Sequence, residues 1–282
     1  MDLEWAHALA PGAKIQVYYL RSAQANTAGW RAVADAVDTA VANGAGTISL
    51  SIGTCGATQS STVTQQAFAR ALSRGVSVFV SSGDSGAYPG PVRECGRQVG
   101  VGYPASDPSV VSVGGTSLVL NSDDTIGQET AWRLSGGGKG KPMLRPIWQL
   151  AATLGKGRYR YAPDVSFLGD PATGAAIFYR GAWRRAGGTS LGAPAWAGIW
   201  TLLRQDARQA GKTLPAAPSL LYRIGNSTAY GQVFHDIKTG SNGRYSARVG
   251  WDAVTGWGTP DVSRLATVVL ALSSQAAVAG GR

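Results

Sequence analysis

Up to Ser81 the sequence alternates two hydrophobic periods, and this alternation restricts the possible folds more than any other feature. Residues 14–19 (Lys-Ile-Gln-Val-Tyr-Tyr) alternate apolar and polar and are rich in β-formers, which predicts a strand. Residues 29–43 carry Trp30, Val33, Val37 and Val41 at helical spacing, and Gly44 follows as a stop. A strand over 47–52, a helix over 61–74 closed by Gly75, and a nearly all-apolar strand over 76–81 continue the pattern. Strand and helix in this rhythm imply a parallel sheet with helices on both faces, an α/β fold.

The rest is less regular. Short strands are expected over 110–113 and 117–120, and a loop over 135–142 (Ser-Gly-Gly-Gly-Lys-Gly-Lys-Pro). A hairpin is expected from 175–179 and 183–186 around Arg180-Gly181, with helices over 190–209 and 264–272. No repeat or Pro-rich linker divides the 282 residues, so a single domain is the simplest partition. No apolar run is long enough to span a membrane, and Met1-Asp2-Leu3-Glu4-Trp5 does not open a signal peptide. The net charge is +10, but the basic residues are scattered and form no arm or basic helix. That argues against specific nucleic-acid binding. Two cysteines, Cys55 and Cys95, both in Gly-rich loops, permit one disulfide or two free thiols.

In a parallel sheet, ligands bind beyond the carboxyl ends of the strands. Two loops therefore matter: Ser81-Ser82-Gly83-Asp84-Ser85-Gly86 after the third strand, and Gly187-Gly188-Thr189-Ser190 at the start of a long helix. Taken alone, Ser190 is a good helix N-cap and Asp84 an ordinary turn aspartate. The string Gly188-Thr189-Ser190-Leu191-Gly192-Ala193-Pro194, however, puts a hydroxyl at a helix N-terminus among small residues. Free N–H groups there favour developing negative charge, the electrostatic half of acyl transfer. A serine nucleophile also needs a base. Neither histidine, His7 or His235, lies in a motif for that role. A chymotrypsin-like reading of Ser85 lacks its upstream Ala-His-Cys, and a subtilisin reading of Ser190 lacks His-Gly-Thr. The base is then a carboxylate, which works best in acid.

These strings together resemble the sedolisins, the serine-carboxyl peptidases with a subtilisin-like fold. Asp2-Leu3-Glu4, followed by residues 8–15, resembles that family's catalytic helix and the strand after it. Ser82-Gly83-Asp84-Ser85-Gly86 resembles its oxyanion string, and Gly187-Gly188-Thr189-Ser190 with Pro194 its nucleophile motif. Pro163-Asp164-Val165 with Asp170-Pro171-Ala172-Thr173-Gly174 resembles another signature. Phe234-His235-Asp236-Ile237, with Gly250-Trp251-Asp252, resembles its calcium loops.

The resemblance implies Ser190 as nucleophile. It implies Asp84 as a protonated oxyanion donor beside the Ser190 N–H, and Asp2 as the aspartate of a Glu-x-x-x-Asp pair. The glutamate of that pair would stand three residues before Met1. Glu4 does not replace it, because a spacing of two turns about 200° around a helix. The expectation is a catalytic domain lacking its N-terminal part and pro-segment, from an acid-active, secreted endopeptidase acting on polypeptides, monomeric, with its own pro-segment as a partner. The alternative is an inactive fragment or pseudoprotease. One Ca²⁺ is expected on the carboxylates of Asp236 and Asp252 and the carbonyls of Ile237, Arg248 and Gly250. Without the resemblance, both aspartates would read as turn caps.

Overall fold

The structure, a computed structural model, describes residues 1–20, 26–151 and 157–275. Its helices are α1 (Asp2–Leu9), α2 (Thr27–Ala42), α3 (Thr62–Ser73), α4 (Val92–Cys95), α5 (Thr189–Gln209), α6 (Ala217–Gly225), α7 (Tyr230–Val233) and α8 (Val262–Leu272). The central sheet holds β1 (Thr47–Leu50), β2 (Ser77–Ser81), β3 (Val111–Leu120) and β4 (Ile126–Ala131) in that order, with β7 (Val165–Leu168) also on β3. All pairings are parallel except β3 with β4. Among the described residues, four antiparallel two-strand pieces accompany this sheet. They join β5 (Gly138–Leu144) with β6 (Tyr159–Ala162), and β8 (Ala175–Tyr179) with β9 (Ala182–Ala186). They also join β10 (Lys212–Thr213) with β13 (Ser274–Gln275), and β11 (Phe234–His235) with β12 (Thr259–Pro260).

β2 shows why a parallel strand reads as a continuous apolar run. Its five residues are all buried. Successive side chains point to opposite faces, so Val78 and Val80 join one core with α2 and α3, while Phe79 joins the other with α5, α6 and α8. Helices therefore cover both faces, as the sequence predicts. α5 crosses the second face closely. A Cβ at Gly192 would stand 2.7 Å from Val113 Cγ1, and one at Gly198 would stand 3.0 Å from Leu9 Cβ of α1.

Two sequence expectations need correction. Residues 14–20 form no strand, and Ile15, Val17 and Tyr19 are exposed. β-propensity measures fit to a pleated, half-buried surface; among the described residues no strand pairs with this segment, and the recorded ties of Tyr18 are side-chain bonds to Gln16 and Asn43. The Gly-rich stretch 135–142 is not all loop, since β5 begins inside it. Gly140 is there for close approach: a Cβ would lie 2.5 Å from Ser106 Cβ. The two short strands of the middle region are one, β3. The hairpin turns at Arg180-Gly181, both with positive φ, as expected. Cys55 and Cys95 form a disulfide.

Candidate active site

The carboxyl ends of β1 and β2 open on a cavity of about 160 Å³, lined among others by Ser51, Gly53, Asp84, Tyr103, Thr189 and Ser190. Both loops singled out from the sequence thus meet in one place. Asp84 follows β2 through Gly83. Its Oδ1 accepts from the Thr189 N–H at 2.7 Å and from the Thr189 hydroxyl at 2.8 Å. The Thr189 hydroxyl oxygen accepts in turn from the Gly83 N–H at 3.0 Å. Oδ2 of Asp84 has no hydrogen-bond partner among the described residues. It passes over Gly188, where a Cβ would come within 2.8 Å of it and where φ is +92°. Glycine alone meets both demands cheaply.

Ser190 lies one residue into α5, whose first N–H groups have no intrahelical partner. Asp84 takes the first of them, and Leu191 donates to the Gly188 carbonyl. The Ser190 N–H donates to no partner among the described residues, and Ser190 and Asp84 line the same cavity. A free N–H, a carboxyl oxygen and a hydroxyl at a helix N-terminus make a site suited to a nucleophile and an oxyanion.

Thr189 and Pro194 entered the sequence reading only as parts of the nucleophile motif, and Ser51 did not enter it; the structure gives each a part in the site. Thr189 locks Asp84 in place; its only sequence signal is its position beside Ser190. Pro194 sits inside α5. It has no N–H, so the Ser190 carbonyl four residues back loses its helical bond. The Ser51 hydroxyl, just beyond β1, donates to that carbonyl at 3.2 Å. The proline was visible in the sequence, but its partner was not.

Asp2 lies on α1, which packs along α5. Ala6 and Leu9 meet Gly198, and Trp5 stacks edge-on against Phe167, which meets Gly192. The N-terminal end of α1 therefore lies toward the Ser190 end of α5, but no hydrogen bond among the described residues joins Asp2 to Ser190 or Asp84. Glu4 points elsewhere: it accepts from the Phe178 N–H at 2.8 Å. That bond above all holds its carboxyl below the ordinary carboxylate range.

Behind the cavity wall lies a buried polar chain. The Tyr103 hydroxyl donates to Asp107 Oδ2 at 3.3 Å, and Arg160 Nε donates to the Asp107 carbonyl. Arg160 forms a fully buried, bidentate pair with Asp164, which also accepts from the Tyr222 hydroxyl. Asp164 belongs to a string singled out from the sequence. Here it is structural, joining β3 through the Ser112 N–H.

The expected calcium residues come together at one loop. Both oxygens of Asp236 accept from the Gly250 N–H at 3.2 Å, and Oδ1 also accepts from Tyr230. Asp252 accepts from the N–H groups of Arg248, Val254 and Thr255. Burial pushes its carboxyl up to about 6. The carbonyls of Ile237 and Gly250 accept no hydrogen bond among the described residues. Carboxylates and carbonyls are the oxygen ligands a hard cation takes. Both oxygens of each aspartate, however, accept from backbone N–H groups here, as turn caps do, and no group of three or more acidic, histidine or cysteine side chains placed for a metal occurs among the described residues.

A model of the subtilase family matches residues 2–258. The chain is 36% identical over 274 residues to sedolisin from Pseudomonas sp. (strain 101), covering 88% of this chain and 44% of that protein. It is 34% identical over 300 residues to kumamolisin from Bacillus sp. (strain MN-32), covering 98% of this chain and 51% of that protein. The chain thus spans about half the length of the curated relatives it matches. The solved structure of Pseudomonas sedolisin, a serine-carboxyl proteinase in complex with two molecules of pseudo-iodotyrostatin, superposes with a TM-score of 0.81 at 32% identity. That match covers 95% of this chain and 76% of that one. With a subtilase model matched over residues 2–258, 36% identity to sedolisin over 88% of the chain and the fold shared over 95% of it, the chain belongs to the sedolisin family, within the subtilases.

Proposed function

We propose that this chain is the greater part of the catalytic domain of an acid-active serine endopeptidase, a monomer made with a pro-segment, that cleaves polypeptides through Ser190. The observation that carries this reading is that Ser190, at the start of α5, and Asp84, held by Thr189, line one cavity beyond the carboxyl ends of the strands. In the reaction, Ser190 Oγ attacks the scissile carbonyl carbon. The carbonyl oxygen, now negative, accepts from the Ser190 N–H and from the protonated Asp84. The serine proton goes to a base, which passes it to the leaving amine, and water then releases the acyl group by the reverse sequence. With Glu4 held by the Phe178 N–H, we assign the base to a glutamate outside the 282 residues, one helical turn ahead of Asp2. The chain alone is then inactive or nearly so. Asp2 orients and tunes that base.

One structural Ca²⁺ belongs to the same reading: Asp236, Asp252 and the carbonyls of Ile237, Arg248 and Gly250 would hold it. When bound, it would supply charge that ties these two segments together. An extracellular location is supported by the Cys55–Cys95 disulfide, since such bonds persist in oxidising compartments. No helix among the described residues is long and apolar enough to cross a membrane.

The test is peptide hydrolysis at about pH 4 by a protein extended to include the glutamate, with Ser190→Ala as control. Loss of a nucleophile costs orders of magnitude in rate. We expect cleavage within chains, abolished in the variant with no change in unfolding midpoint. Release of amino-terminal tripeptides only would assign an exopeptidase. Ser190-independent cleavage, or equal cleavage by the short chain, would overturn the assignment of nucleophile or base.

A further inference from the structure

A second cavity, of about 270 Å³, lies at the far end of α5, where the helix gives way to β10. It is lined by Arg204, Arg208, Gly211, Lys212, Thr213 and Leu214. Three of the six lining residues are cations and none is an acid. Arg204 and Arg208 are four apart on α5 and so share a face. Asp206, the nearest acid in sequence, points about 200° away from either. No ion pair among the described residues involves Arg204, Arg208 or Lys212.

The three side chains are held in different ways. Arg204 is half-buried: its guanidinium lies over Gly46, where a Cβ would stand 2.6 Å from Nε, and Nη1 donates to the Gly75 carbonyl at 2.9 Å. Lys212 Nζ donates to the Leu270 carbonyl at 2.9 Å, which ties it to α8. Arg208 is exposed, lines the cavity and has no hydrogen bond or ion pair from its side chain among the described residues. Leu214, also in the lining, is buried, and the Thr213 hydroxyl has no hydrogen-bond partner among the described residues.

Cations near a helix C-terminus are favourable in themselves, and Arg208 stands in the last turn. That explains one of the three. It does not explain why a second guanidinium is desolvated beside it. Burial, and then the nearby Arg208, hold Arg204 below the ordinary arginine range, so the two repel. Guanidinium forks match tetrahedral oxyanions by paired N–H donors, and a lysine adds a point charge.

We propose that this cavity is a small-oxyanion site, taking sulfate or phosphate as the free ion or as an ester, separate from the peptidase centre. The anion bridges Arg204, Arg208 and Lys212, and so pins the end of α5 to β10 and α8.

The test uses the folded 282-residue chain and needs no activity. Its unfolding midpoint is followed against sodium sulfate, sodium phosphate and glycerol 2-phosphate at pH 7, with sodium chloride at matched ionic strength as reference. Sulfate and phosphate should raise the midpoint saturably above the chloride series, as a ligand of the folded state does. Calorimetric titration with sulfate should give saturable binding that weakens about tenfold or more in Arg208→Glu. Arg208→Gln, which removes the charge without reversing it, should fall between. A shift from the ester alone would assign the ester as the ligand; equal shifts would assign the bare oxyanion. Midpoints that follow ionic strength only, or binding unchanged in both Arg208 variants, would overturn the site.

Discussion

Asp107 sits 1% exposed behind the wall of the active-site cavity, and its burial has a consequence measurable in solution. The groups facing it are the Tyr103 hydroxyl, the Ser109 N–H at 2.8 Å, and Arg160, which binds its backbone carbonyl. Loss of water outweighs these contacts and pushes its carboxyl from an ordinary 3.8 up to about 6. The folded-state value is raised, so folding is favoured by the neutral acid. The contribution is fully present below about pH 4 and is lost as pH rises through about 6. A gap of about two pH units corresponds to about 3 kcal/mol of stability between pH 4 and pH 7. For a chain of this size that is on the order of 6 °C in midpoint. Asp252, raised to about 6 by burial, adds a slope of the same sign when calcium is absent. Urea unfolding of the wild type in chelator, from pH 4 to pH 7, should therefore show falling stability. In Asp107→Asn the amide keeps the shape and can still accept from Ser109, but it does not titrate. The variant should lose about half the slope and be more stable than wild type at pH 7. Wild-type stability that is flat or rises toward pH 7, or an Asn variant with the wild-type slope, would refute the reasoning.

Thr189→Val removes both hydroxyl bonds that fix Asp84 and Gly83 but keeps the backbone bond. In the extended peptidase, kcat should fall about 10- to 100-fold with KM little changed, and Thr189→Ser should restore most of it. Equal activity of the Val variant would remove Thr189 from the positioning machinery. Calcium should raise the unfolding midpoint at pH 6 more than at pH 3, because protonated carboxylates bind it poorly. A midpoint unmoved by calcium in the wild type, or moved equally in Asp236→Ala, would make these residues ordinary loop aspartates.

Much of the scaffold was legible in the sequence because its signals are local. The periods of β2 and α2, the Gly stops after α2 and α3, and the Arg180-Gly181 turn each follow from a few neighbouring residues. The same holds for the position of Ser190 at a helix N-terminus, since glycines before it and an apolar run after it declare the start of α5. Where local signals met a missing or distant partner, they failed. Residues 14–19 have the composition of a strand, but a strand exists only as a ladder, and no described strand pairs with them. Gly138 and Gly140 read as loop because glycine's absence of a side chain cannot say whether it serves a turn or a close approach.

The contents of the site divide in the same way. The sequence itself determined the residue types and their order: a hydroxyl on a helix start, an aspartate after a buried strand, two aspartates in the C-terminal loops. Tertiary structure alone decided that Asp84 is gripped by Thr189, 105 residues away, and that Ser51 serves the Ser190 carbonyl freed by Pro194, 139 residues away. It alone decided that Cys55 and Cys95 join, and that Arg204, Arg208 and Lys212 share a cavity without a carboxylate. The physical reason is range. Propensity, capping and periodicity act within a turn or two of chain, whereas a hydrogen bond or a charge pair acts over a few ångströms of space, and only the folded sheet sets which residues fall within that distance.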